Sequence, residues 1–115
     1  MKKVLFSALL LAGFVANVQA QDIPEDIKSI LQKNTCLACH KADAKLVGPA
    51  YKDIAKKKYS NEKIVELIAN PKPSNWPGYP PMAPMKNISK DDALKVAGWI
   101  NSLAPKSAAK GKKKA

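Results

Sequence analysis

The chain has 115 residues, 46% of them hydrophobic and 25% charged, with a formal net charge of +11 at pH 7. That length allows one small domain, and two cysteines with a single histidine are too few to complete a zinc set of four protein ligands. The positive charge is all lysine, and it is unevenly placed: two lysines open the chain and five lie in the last ten residues, leaving 13 lysines against 9 acids between them.

Met1-Lys2-Lys3 followed by an apolar run from Val4 to Val18 and a small-residue site at Val18-Gln19-Ala20 reads as a secretory signal peptide, residues 1–20. The run is too short for a transmembrane helix with cleavable flanks, so the remaining chain is expected to leave the cytoplasm. About 95 residues would remain, a size at which a core is marginal without a cofactor or cross-link.

Pro24-Glu25-Asp26 has the character of a first helical turn, with acids at the positive end of the dipole. Ile27, Ile30 and Leu31 then recur at helical spacing and lead towards Cys36, with Asn34 and Thr35 weakening the helix end. The next residues are Cys36-Leu37-Ala38-Cys39-His40, a C-x-x-C-H run and the signature of c-type haem attachment. Two thiols at this spacing can each add to one vinyl group of the same porphyrin, and the following imidazole is then held beneath the iron. Other readings of the run are a thioredoxin-like redox pair, which wants a βαβ context not found here, a zinc site, and a lone disulfide. A disulfide closing so short a loop would restrict the unfolded chain little and would leave His40 unexplained.

Lys41 to Val47 reads as a loop closed by Gly48-Pro49, after which Pro49 could open a short second helix with Tyr51, Ile54 and Ala55 inward. Ser60 is placed to cap a third helix running to about Ala69, which Asn70-Pro71 ends. Six prolines between Pro71 and Pro84, with Trp76, Tyr79 and Met82 among them, specify a stiff extended loop without regular helix. Ser89 with Asp92 three residues on resembles a capping box, opening a last helix to about Leu103 with Ala93, Val96, Ala97, Ile100 and Leu103 on one face. Residues 105–115 are a Lys-rich tail of disordered composition. No strand-like alternation and no internal repeat is present.

A haem iron bound by His and Met has a raised potential and filled axial positions, which suits electron transfer. Met82 and Met85 are the methionines left after signal removal, and on physical grounds either could reach an iron or simply pack in a core.

The ordered set Cys36-Leu37-Ala38-Cys39-His40, Val47-Gly48-Pro49-Ala50-Tyr51-Lys52-Asp53-Ile54-Ala55, Pro81-Met82-Ala83-Pro84 and Asn87-Ile88-Ser89 through Gly98-Trp99-Ile100 resembles the class I cytochromes c. Within them it is closest in pattern to the small bacterial c-551/c-552 (c8-type) group, over roughly residues 24–104. The resemblance implies an all-α cytochrome c fold, four to five short helices around one covalently attached haem c with its iron. It implies a monohaem domain over 21–104, attachment through Cys36 and Cys39, and His40 and Met82 as iron ligands, since Met82 and not Met85 fits the Pro-Met-x-Pro pattern. Pro49 matches the proline whose carbonyl accepts the proximal histidine's second N–H, and Trp76 the tryptophan that reaches a haem propionate or packs its edge. Where close relatives place an arginine near that propionate stands Leu67, and Lys72 is then one candidate for the positive partner. Trp99 matches the terminal-helix aromatic that packs on the first helix.

The function so implied is a periplasmic carrier of single electrons, a non-enzyme and a monomer. Its mildly basic face would meet redox proteins with acidic docking surfaces, although the charge would serve solubility as readily. Nucleic acid is not expected as a partner, and a membrane is not required, though the tail suits weak contact with anionic surfaces. The competing functions are a haem protein with a labile sixth ligand that binds gas or peroxide, and a haem-free secreted binding module with a Cys36–Cys39 disulfide.

Overall fold

The computed structural model describes residue 13 and residues 22–105; the expected signal peptide and Lys-rich tail lie outside the described residues, apart from Gly13 and Pro105. Four α-helices follow one another: α1 (Glu25–Lys33), α2 (Tyr51–Lys56), α3 (Asn61–Ala69) and α4 (Lys90–Ser102). Two single 3-10 turns, Cys36–Ala38 and Pro73–Asn75, interrupt the connections, and no strand occurs among the described residues. The all-α class that the resemblance implies is therefore the observed one, with four α-helices.

Helix α1 starts one residue later than its sequence suggests. Pro24 is the N-cap, with extended ψ, and its carbonyl accepts the first helical bond from Lys28 at 2.8 Å. At the other end Asn34 turns its side-chain amide back to the Ile30 carbonyl at 2.9 Å. Thr35 then takes the left-handed conformation, φ 57°, so the chain reverses sharply into the turn that carries Cys36.

Ser60 and Ser89 cap α3 and α4, each hydroxyl accepting from the backbone N–H three residues on at 3.1 Å. Helix α2 begins at Tyr51 and not at Pro49, because Pro49 is outside any helix and Ala50, the N-cap, is extended. The 3-10 turn at Pro73–Asn75 was not expected; proline at its first position fits, since a missing N–H costs nothing there.

Helix α4 packs against each of the other three. The core it organises joins Ile27, Ile30 and Leu31 of α1, Tyr51 and Ala55 of α2, Ile64 of α3, and Val96, Ala97 and Ile100 of α4. Trp99 packs on its margin, its ring edge-on to Tyr51 at 5.1 Å. Asn101 ties the α3 end to α4, donating to the Tyr59 carbonyl at 3.0 Å and to Asn61 Oδ1 at 2.8 Å. What the helices leave open on one side is bounded by the Cys36 turn, the loop before α2 and the proline-rich segment.

Candidate haem site

The Cys36 turn is wound by hydrogen bonds from the Cys39 and His40 amides to the Cys36 carbonyl, at 3.2 and 3.0 Å. Residues three and four apart on such a turn share a face. Cys36, Cys39 and His40 accordingly line one cavity of ≈390 Å³. Leu31, Ile54, Ile64, Ile68, Val96 and Ile100 supply apolar wall from all four helices, and Trp76, Tyr79, Met82 and Met85 line it from the proline-rich segment.

Among the described residues His40 is the one buried polar or charged side chain besides the Tyr51 phenol, 9% exposed. Its Nδ1 lies 2.7 Å from the Pro49 carbonyl oxygen. A carbonyl only accepts, so Nδ1 carries the proton and Nε2 is left with a lone pair and no hydrogen-bond partner among the described residues. The bond also explains the late start of α2: the Pro49 carbonyl is taken by the imidazole, and the first helical bond is accepted by the carbonyl of the extended Ala50, from Ile54 at 3.1 Å.

Gly48 completes the seat of the ring. A Cβ at this position would come within 2.5 Å of His40 Cε1 and 2.9 Å of Nδ1, so only glycine lets the backbone pass. Its N–H donates to the Cys39 carbonyl at 2.7 Å, locking the loop against the cysteine turn. Sequence reasoning saw Gly48 only as loop closure; the signal was its place beside Pro49, but the close approach is visible only in three dimensions.

Tyr51 stacks obliquely on His40 at 5.1 Å, and its hydroxyl is buried without a hydrogen-bond partner among the described residues. Burial, and after it the neighbouring Cys36 sulfur, push that hydroxyl well above the usual tyrosine range. Burial likewise raises the Cys36 thiol. Neither cysteine is in a disulfide, and Cys39 is exposed.

Met82 is 38% exposed, whereas Met85 is half-buried and its N–H donates to the Ile68 carbonyl at 2.9 Å. Both side chains line the cavity. Leu67 and Lys72 line it as well, and Lys72 is its single lysine. Outside the aromatic wall, Lys57 lies 4.6 Å from the Trp76 ring centre and Lys45 4.6 Å from that of Tyr79. Neither lysine stands out in the sequence among so many.

A cysteine pair and an imidazole with one free nitrogen on a single turn, facing an apolar cavity with two thioethers, suit an iron porphyrin. The glycine cradle beneath His40 fits the same group, because it fixes the ring plane.

The protein family described as cytochrome c matches residues 24–104. Cytochrome c-552 of Nitrosomonas europaea is 38% identical over 101 residues, covering 84% of this chain and 88% of the relative. Cytochrome c-551 of Stutzerimonas stutzeri is 34% identical over 107 residues, covering 90% of this chain and 99% of that one. The crystal structure of the wild-type Nitrosomonas europaea cytochrome c552 superposes with a TM-score of 0.60 at 38% identity, spanning 66% of this chain and 98% of the other. The chain belongs to the cytochrome c family, within its small bacterial c-551/c-552 group, and its cofactor is a covalently bound haem c.

Proposed function

We propose that the protein is a periplasmic, monomeric carrier of single electrons, its haem held by thioethers to Cys36 and Cys39 and its iron by His40 and Met82. The functional unit is residues 21–104, preceded by a signal peptide over 1–20 and followed by the lysine tail over 105–115. When bound, the haem supplies one-electron ferric/ferrous cycling. Everything else is the work of the chain.

The observation that carries the reading is the seat of His40. The Pro49 carbonyl at 2.7 Å fixes the tautomer and plane of the imidazole and makes Nε2 the more basic ligand. Gly48 keeps the ring pressed to the backbone. A histidine so constrained moves little between oxidation states, which favours electron transfer over ligand exchange. Trp76 and Lys72 both line the cavity, which supports a reading in which the indole N–H would serve a haem propionate and Lys72 would be the positive partner that Leu67 cannot be. The 13 lysines against 9 acids between the two termini favour redox partners with acidic docking surfaces.

Protein matured in a periplasm should have the mass of the chain without residues 1–20 plus one haem. It should titrate with a single electron, and its ferrous form should not bind carbon monoxide. Rapid carbon monoxide binding would replace the carrier with a haem protein whose sixth ligand is labile. A folded chain without haem would leave only the disulfide-bonded module.

A further inference from the structure

The proline-rich segment that presents Met82 is weakly attached to the rest of the fold. Pro77, Pro80, Pro81 and Pro84 have no N–H to give. Between Trp76 and Pro84 the backbone bonds made by the described residues are local, Trp76 to Pro73 and Tyr79 to Trp76, and the first anchoring bond is Met85 to Ile68 at 2.9 Å. Two lysines grip this segment from outside. Lys57, at the C-terminal end of α2, donates to the Asn75 carbonyl at 3.1 Å while its Nζ lies over the Trp76 ring. Lys45 lies over the Tyr79 ring. Between them Trp76 and Tyr79 meet edge-to-face, centres 5.9 Å apart.

The order is therefore cation, aromatic, aromatic, cation, and it runs from α2 across the Met82 segment to the loop that follows His40. That loop is itself braced, through the Gly48 N–H on Cys39 and the Tyr51 N–H on Lys41 at 2.9 Å. The two outer ends of the clamp thus stand on the histidine side of the cavity, and its aromatic middle stands on the methionine side.

We infer that Lys45 and Lys57 are positioning residues for Met82: their contacts with Tyr79 and Trp76 hold the loop closed and so keep small neutral nitrogen ligands off the iron. The inference rests on Met82 being the sixth ligand. A loop with so few other anchors among the described residues opens only when these contacts break, and the free energy they contribute then helps set how often an outside ligand finds the site vacated.

The test uses the haem-loaded ferric protein and imidazole at about pH 8.5, where the probe is almost wholly neutral and the lost lysine charge acts on it least. Each of Lys45→Gln and Lys57→Gln should bind imidazole about two- to fivefold more tightly than the unaltered protein, as follows from the strength of an exposed cation–π contact. The double variant should gain about tenfold, and Lys45→Arg with Lys57→Arg should stay near the starting affinity, since a guanidinium keeps the stacked cation. Unchanged affinity in the double Gln variant overturns the clamp, and so does an Arg variant that gains as much as the Gln one. Met82→Ala separates the two claims: if it leaves imidazole affinity unchanged, the assignment of Met82 has failed, and the clamp with it.

Discussion

At the scale of single residues, the site depends on one close approach that only glycine permits and one backbone conformation that a β-branched residue disfavours. Gly48 passes so close to His40 that an added methyl would have to displace the ring or the loop. Gly48→Ala should therefore cost about 1–3 kcal/mol, as overpacking does, measured by denaturant unfolding of the haem-loaded protein. The same variant should disturb the His40 to Pro49 bond. Thr35 is the opposite case. A β-branched residue at φ 57° holds about 1–2 kcal/mol of strain, and glycine gives back about 0.5–1 kcal/mol of it as extra freedom in the unfolded chain. Thr35→Gly should then raise stability by up to ~1 kcal/mol, read as a higher denaturation midpoint with unchanged visible spectrum.

The proposed haem-holding residues that the structure brings to one cavity were legible because their types are scarce: one histidine and two cysteines leave little choice. Their support was not. The strain at Thr35 leaves no mark in a sequence, since nothing distinguishes that threonine from one in a relaxed turn. Nor does a surface lysine announce that it lies over an aromatic ring, and Lys45 and Lys57 look like any of their neighbours.

Among elements, periodicity located α1, α3 and α4, and the serine caps at Ser60 and Ser89 stand where the capping pattern puts them. The start of α2 was missed by two residues for a specific reason. A proline favours a first helical turn when only local geometry matters, but here its carbonyl is committed to His40, nine residues earlier. A tertiary hydrogen bond thus overrides a local preference. The contact between α3 and α4 offers a direct test of how these elements hold together. Asn101→Ala removes both donations, to the Tyr59 carbonyl and to Asn61, and leaves two half-buried acceptors without a partner. A loss of about 1–2 kcal/mol is expected, again by denaturant unfolding. An effect near zero would mean that apolar packing alone joins the two helices.

For the whole molecule, a small core is completed by a cofactor. Four short helices surround a cavity of ≈390 Å³ whose walls include the core residues Leu31, Ile64, Val96 and Ile100. Filling it with a covalently held porphyrin buries apolar surface that a chain of this size could not bury alone. Among the described residues no helix is long and apolar enough to cross a membrane. The three ion pairs among the described residues, Lys28–Glu25, Lys56–Asp53 and Lys63–Glu66, are each local to one helix and exposed. Hydrogen bonding and charge from Lys63 hold the Glu66 carboxyl below the usual glutamate range, but for a solvent-exposed pair this contributes little to stability. These pairs add little to the fold.

The assignment on which the account turns is the pair of iron ligands, and the visible spectrum of the ferric protein tests it most directly. The unaltered protein should show the weak near-red band of methionine sulfur on low-spin iron. Met82→Ala should abolish that band, and Met85→Ala should keep it. A band that survives in Met82→Ala and disappears in Met85→Ala would contradict the assignment, and a high-spin spectrum in the unaltered protein would contradict the electron carrier itself.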